Sequence, residues 1–270
     1  ELNNADDVNV VGSTIDVAAA AAVQNITAYD DIDSGYVIED SAGSVLGAQA
    51  TILDSGVAHV DVNSIASANV GVALGNLEDA LEAGYSSDIS FTVSDDASAI
   101  AGVLAQGDEL NNADDVNVVG STIDVAEAAA VQDITAYDAD NSDYDIEDDA
   151  STLLSTTGVD AVVDSGVDQV FVTDSSVDAD TGAGLNALEL SLQDVGGTDI
   201  EFTVTDTAGA VASELSATGD ELDEANDVNV VGGTIDVAAA DAVQDITAYD
   251  AVDSDYDIED DASTLLSTTG

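Results

Sequence analysis

Three acid-rich turns hold the side chains best suited to chemistry: YDDIDSGYVIED (Tyr29–Asp40), YDADNSDYDIEDD (Tyr137–Asp149) and YDAVDSDYDIEDD (Tyr249–Asp261). Carboxylates spaced along a loop are hard oxygen ligands, the kind Ca²⁺ takes in sets of about six to eight with loose geometry. The expected ligands are Asp138, Asp140, Asp143 and Glu147, with counterparts Asp30 and Asp33 in the first turn and Asp250, Asp253 and Asp255 in the third. Asp138, Asp140 and Ser142 begin like an EF-hand loop, but Asp143 stands where that loop needs Gly, and Val252 replaces Asp140 in the third turn. The loops are therefore not EF-hands, and the plainer alternative is a solvated turn that caps helices. The Asn and Asp side chains of the patches around Glu1–Asp7, Asp108–Asp115 and Gly219–Asp227 could coordinate a cation or close a turn through bonds to the backbone, and turn closure is the favoured reading. Asp54-Ser-Gly56 and Asp164-Ser-Gly166 read as tight turns.

Catalytic constellations are not visible. The single His59 is replaced by Gln169 at the matched position of the next repeat. No Lys or Arg clamps a phosphate, and no G-x-x-x-x-G-K loop occurs. The Asn25-Ile-Thr27 sequon becomes Asp133 and Asp245 elsewhere in the chain. The expectation is a protein that is not an enzyme.

Composition narrows the field further. The chain has 58 Asp and Glu, no Lys or Arg and one His in 270 residues, a formal net charge of -58. An ordinary chain of this length would carry roughly thirty basic residues. Salt bridges are thus confined to His59 and the amino terminus, and nucleic acid or an anionic membrane would repel the chain. Hydrophobic residues at 45% separate it from disordered polyanions, which lack the apolar surface to offset chain entropy. With 4% aromatics the core must be aliphatic and thin. No Cys is present, so disulfides and thiolate metal sites are excluded. No apolar run is long enough to span a bilayer, and the opening residues are not expected to act as a signal peptide.

These turns sit inside a long repeat. ELNNADDVNVVGSTIDVA begins at Glu1, returns unchanged at Glu109 and appears as ELDEANDVNVVGGTIDVA at Glu221, intervals of 108 and 112 residues. Repeat 1 covers 1–108, repeat 2 covers 109–220, and 221–270 is a partial third, expected to be a window of a longer array. Each repeat divides into four pairs of a β-branched segment and a helix-prone one, as in VNVVG/STIDVAAAAAVQ and ISFTVSD/DASAIAGVLAQ. Phe91-Thr-Val-Ser alternates apolar and polar residues at the strand period. Ser13-Thr-Ile-Asp16 and Ser121-Thr-Ile-Asp124 fit a capping pattern in which Ser is the N-cap. Asp95, Asp148, Asp206 and Asp260 stand just before helix-prone stretches, where a cap is also expected.

The fold class expected is α/β: a repeat solenoid of short parallel strands, each followed by a short Ala-rich helix. Strands are expected at Val8, Tyr36, Val60, Phe91, Val116, Tyr144, Val170, Phe202, Val228 and Tyr256. The alternative is a string of β-sandwich domains.

In TIDVAAAAAVQ (Thr14–Gln24) and YDIEDDASTLLS (Tyr144–Ser155) the chain resembles tandem repeats of very large secreted bacterial surface proteins, adhesin-like, surface-layer-like or RTX-associated. The glycine-rich RTX nonapeptide G-G-x-G-x-D does not occur. The resemblance implies export, surface display or assembly, and no catalysis. The functional expectation is an extracellular structural repeat forming a stalk, filament or coat, stabilised by cations. Its expected partners are divalent cations and further copies of itself, with no nucleic acid and no membrane insertion. An adhesin stalk or an acidic Ca²⁺ or mineral scaffold are the alternatives. A chain without Lys or Arg would also resist trypsin-like cleavage.

Overall fold

The computed structural model describes residues 5–104, 107, 109–197, 199–218 and 222–267, so the three acidic patches are seen from Ala5, Glu109 and Leu222 onward. The chain forms two compact units, one of residues 1–121 with 130–142, the other of 122–129 with 143–270. They do not coincide with the sequence repeats.

The first unit holds β1 (Val11–Ile15), α1 (Val17–Gln24), β2 (Gly35–Asp40), α2 (Ala42–Gly47), α3 (Gln49–Ile52), β3 (Val57–Val62), α4 (Ala68–Tyr85), β4 (Ile89–Ser90), β5 (Thr92–Asp95) and α5 (Ala97–Leu104). It also holds most of β6 (Asp115–Ile123) and the end of α6 (Val125–Gln132). Its strands pair in chain order, β1-β2-β3-β4, with β5 beside β6. The second unit holds β7 (Asp143–Asp148), α7 (Ala150–Leu153), α8 (Thr156–Val162), β8 (Val167–Val172), α9 (Ala179–Val195), β9 (Ile200–Glu201), β10 (Thr203–Asp206), α10 (Ala208–Thr218), β11 (Asp227–Ile235), α11 (Val237–Gln244), β12 (Asp255–Ile258) and α12 (Ala262–Ser267). There β7, β8 and β9 are neighbours, as are β10, β11 and β12. Every strand pair described is parallel, so the antiparallel sandwich alternative is not what forms. The α/β class holds.

Burial follows the two-residue period of a strand. In β2, Tyr36 and Ile38 are buried while Val37 and Glu39 are not; β7 repeats this with Tyr144 and Ile146. The covering helices contribute Ala42 and Val45, or Ile100 and Val103, a thin aliphatic layer as the low aromatic content requires.

The strand ends differ from expectation in two places, each with a local cause. VVGST in the first two repeats was expected to end a strand and cap a helix through Ser13 or Ser121. Gly12, Gly120 and Gly232 instead adopt φ of +63, +65 and +69°, with register shifts at Val11/Thr14 and Val231/Thr234. This bulge keeps Ser13 and Ser121 inside the strand. The N-caps are the aspartates three residues on, Asp16, Asp124 and Asp236, each accepting from the N–H at 2.6 to 2.8 Å. Val8 lies before β1 and makes only a parallel bridge to Tyr29. The second difference is at Phe91 and Phe202, which interrupt a strand where they were expected to begin one. Both are buried, and their carbonyls accept from Asp114 N–H and Asn226 N–H.

Asp95, Asp148, Asp206 and Asp260 do cap helices, but not the helices that follow them. Each reaches back with Oδ2 to the first turn of the preceding helix: Ala68 N–H to Asp95, Val125 N–H to Asp148, Ala179 N–H to Asp206 and Val237 N–H to Asp260, at 2.9 to 3.3 Å. Asp40 does the same for Val17 at 3.2 Å. The following helices use the next residue as their own N-cap, as Asp149 does for Thr152 and Asp261 for Thr264.

Helix α4 is shaped by glycine on one face only. A Cβ on Gly75 would strike the backbone carbonyl of Glu109, and one on Gly71 would strike the Val93 side chain, whereas Gly84 faces open space. Helix propensity alone favours Ala over Gly by about 1 kcal/mol. Gly84→Ala should therefore stabilise the protein by up to about that amount, and Gly75→Ala should destabilise it by about 1–3 kcal/mol through overpacking. Urea unfolding of the two variants checks the opposite signs.

Candidate functional site

The acidic turns are hung on the strand that precedes them. In the first, Val8 N–H donates to Ala28 O at 2.7 Å and Asp30 N–H to Val8 O at 3.1 Å. Ser34 Oγ accepts from Val10 N–H at 3.0 Å and donates to Asp30 O at 2.7 Å. Ser142 and Ser254 repeat the contact with Val118 N–H and Val230 N–H, each at 3.0 Å. The sequence-level periodicity is thus matched atom by atom.

Because Asp7 immediately precedes Val8, this anchoring carries its side chain to the turn. Carboxylate oxygens of Asp7, Asp30 and Asp33 all lie within 4.8 Å of one another, the one such group of three among the described residues. Asp30 and Asp33 were expected as ligands; Asp7, 23 residues upstream, belongs to a patch for which turn closure was favoured over cation coordination. At that separation each pair repels by roughly 1 kcal/mol in water and several at an effective dielectric near 20. The spacing suits one hard cation held at about 2.3–2.6 Å from each oxygen, with three of its six to eight ligands supplied here. Asp30 Oδ1 is also fixed by Ile32 N–H at 3.0 Å, which orients the carboxylate.

The matched second turn solves the same problem differently. Asn141 stands at the position of Asp33, and its Nδ2 donates to Asp138 Oδ2 at 2.7 Å. An amide donor does there what a bound cation would do in the first turn. Asp138 and the exposed Asp140 border a shallow groove with Asp114, Asp115 and Tyr137. Asp143 and Glu147 are exposed residues of β7, two strand periods apart on one face. Between them Asp145 has its carboxyl pushed above the usual range by burial, then by Asp168 and Asp143. In the third turn Asp250 Oδ1 accepts from Val252 N–H at 2.7 Å, and Asp253 and Asp255 are exposed. None of Asp138, Asp140, Asp143, Glu147, Asp250, Asp253 and Asp255 enters a group of three among the described residues.

Two buried acids escaped the sequence reading. Glu78 in α4 and Glu189 in α9 are only 8% and 2% exposed. Each accepts from the first N–H of the short strand opposite, Ile89 or Ile200. Each leaves Oε2 buried without a protein hydrogen bond. Burial pushes both carboxyls up to about 7, against the strand N–H, with further upward pressure from Glu82, Asp88 and Asp114 on Glu78 and from Glu224 and Asp199 on Glu189. A signal was present: Gly71, Leu74, Glu78 and Leu81 fall on one helical stripe, as do Gly182, Leu185, Glu189 and Leu192.

His59 spans β3 and the loop before β4, with Nε2 at 2.8 Å from Asp61 and Nδ1 at 2.9 Å from Asp88. Burial lowers its pKa, but the two carboxylates outweigh that and the net direction is upward. At the matched position Gln169 Nε2 donates to Glu201 at 3.2 Å, so a donor between two strands is what both copies keep.

No family model and no curated protein matches the chain. Among solved structures it is similar to the carboxyl transferase domain of Rhizobium etli pyruvate carboxylase with 3-bromopyruvate, at 13% identity and a TM-score of 0.19. The match covers 84% of this chain and 40% of that one, so this chain spans less than half of its length. That structure is an enzyme domain, and the expectation that this chain is not an enzyme is corrected accordingly: it no longer stands. A likeness of that TM-score carries no argument for carboxyl transfer here. No helix among the described residues is long and apolar enough to cross a membrane.

The carboxylates divide into two classes with opposite pH behaviour. Asp40, Asp96, Asp149 and Asp178 are held below the usual range, chiefly by the Ser41 N–H for Asp40 and by the hydroxyls of Ser98, Ser151 and Thr181 for the others. Their contribution is present above the unfolded aspartate pKa and is lost as pH falls through the depressed values. Glu78 and Glu189 are raised from 4.5 to about 7, so their contribution is complete below 4.5 and is lost as pH rises to 7. Stability should peak at about pH 4–5 and decline toward neutrality by up to about 3 kcal/mol per glutamate. Urea midpoints from pH 3 to 8 check this, and Glu78→Gln with Glu189→Gln should flatten the decline above about pH 5.

Proposed function

We propose that this chain is a segment of an acidic α/β repeat solenoid, a secreted structural array that serves as a stalk, filament or surface coat and holds Ca²⁺ in its acidic turns. The observation that carries the reading is the recurrence of one construction three times over. The strand hydrogen-bonds the following turn through matched atoms at Val8, Val116 and Val228, and neighbouring strands run parallel in chain order. Such segments cannot bury their apolar faces singly and complete them against neighbours. The resemblance to tandem repeats of large bacterial surface proteins points the same way, and absence of Cys, Lys and Arg suits an exposed fibre that meets trypsin-like proteases.

The second reading, an acidic scaffold that concentrates cations, is favoured by Asp7, Asp30 and Asp33. Binding of Ca²⁺ to the folded state alone would stabilise it by about 2.7 kcal/mol at a hundredfold excess over Kd. Thermal melting at low ionic strength should show a midpoint lowered by chelator and restored by Ca²⁺. NaCl of matched ionic strength should restore less. Asp33→Asn, which copies the second turn, should shrink the difference between Ca²⁺ and NaCl. Equal rescue by both salts would leave screening as the sole requirement and remove the Ca²⁺ site. Negative-stain microscopy of the purified chain should show rods or fibrils; compact monomers at all concentrations would sink the array.

A further inference from the structure

His59 is the sole basic side chain of the sequence, and it ties two strands together beside a very short ladder. Strand β4 is two residues long and pairs with β3 through Val60 opposite Ile89 and Asp61 opposite Ser90. Next to that pairing, Val60 N–H donates to Asp88 O at 3.0 Å. His59 Nε2 lies 2.8 Å from Asp61 Oδ1, and Nδ1 lies 2.9 Å from Asp88 Oδ1. Both partners are acceptors, and an imidazole carries two N–H donors only when protonated. With the proton lost, one nitrogen turns a lone pair toward a carboxylate at that distance. Asp61 faces the ring from its own strand and Asp88 from the loop before β4. On β2, Val37 stands opposite His59 and Glu39 opposite Asp61. Glu78 of α4 accepts from Ile89 N–H and is pushed upward in part by the Asp88 charge. Every titratable group in this set other than the ring is an acid, so no other side chain can supply the cation. Ser87 Oγ donates to Val57 O at 2.7 Å and the buried Phe91 follows β4, so both ends of the segment are fixed and residues 88–90 are left to the ring.

We infer that His59 is a pH-sensitive clasp of the first repeat: its imidazolium ties Asp61 of β3 to Asp88 ahead of β4, and loss of the ring proton frees residues 88–90 from β3. The second repeat supplies the comparison. Gln169 stands at the matched position, where its Nε2 donates to Glu201 at 3.2 Å, and Val170 N–H donates to Asp199 O at 3.1 Å. An amide donor does not titrate, and Phe171 stands where the first repeat has Asp61, so that junction keeps the same main-chain bond without a pH-dependent cation. Burial opposes protonation of the ring, but Asp88 and then Asp61 outweigh it and place the pKa above the ordinary 6.5. The clasp is therefore complete below 6.5 and is lost as pH rises through the raised value. Ionisation of Glu78 and Glu189 loosens both repeats over an overlapping range, so the clasp shows itself as the difference between them.

The test uses the whole chain at low ionic strength, where exposed charges are least screened. The His59 ring, followed by NMR, should titrate above 6.5 and should shift downward in Asp88→Asn. Amide hydrogen exchange, corrected for its intrinsic pH dependence, reads the consequence at the backbone. The protection of Val60 relative to Val170 should fall about fivefold or more between about pH 6 and about pH 9. In His59→Gln, which copies the second repeat, the same ratio should stay within about twofold over that range. Should His59→Gln fail to fold, Asp88→Asn alters an exposed side chain and should likewise shrink the fall. A ring that titrates at or below 6.5 overturns the clasp, as does a Val60 to Val170 ratio that does not move with pH. An equal fall in His59→Gln or in Asp88→Asn also overturns it and assigns the loosening to Glu78.

Discussion

A carboxylate at the end of a strand, accepting from the opening N–H of the helix before it, is the contact on which the arrangement depends. Asp40, Asp95, Asp148, Asp206 and Asp260 each use both oxygens. Oδ2 takes the preceding helix, and Oδ1 takes the N–H of the very next residue at 2.6 to 3.0 Å. In a chain without Lys or Arg, the N–H groups at helix starts are the main positive potential the protein can offer. The acids that would otherwise only repel one another are thereby turned into ties between successive strand–helix segments. A tie of this kind needs a short side chain with two acceptors, which explains why aspartate occupies all five positions.

The same economy shapes the turns. A serine hydroxyl at residues 34, 142 and 254 links turn to strand, so the turn path is independent of the acids it displays. The acids can then vary without changing the fold. Asp33 becomes Asn141, and Ile32 becomes Asp140 and then Val252. The carboxylates crowd at Asp7, Asp30 and Asp33; where an amide replaces one of them, at Asn141, a hydrogen bond to Asp138 forms instead. The buried glutamates stand apart. They sit on the apolar stripe of the two long helices and reach the strand through a single N–H, so their neutral form is the one that fits the site.

Much of the architecture was legible in the residues. The repeat intervals, the alternation of β-branched and Ala-rich segments and the lack of basic side chains determined parallel strands, thin aliphatic packing and acid-capped helices, because each follows from local period or from composition. Asp30 and Asp33 could be named as ligand candidates from their turn alone. Tertiary structure decided what depends on distant residues. Asp7 joins that turn only because Val8 pairs across to Tyr29. Asp148 and its counterparts cap the helix behind them because parallel strands bring each strand end beside the preceding helix start. The glycine bulge draws Ser13 and Ser121 into the strand and passes the N-cap to Asp16 and Asp124, since left-handed φ extends the ladder where a cap motif would have ended it. Glu78 and Glu189 gain their raised carboxyl pKa only once the helix stripe meets the sheet, because desolvation belongs to packing and is invisible in a linear string of residues.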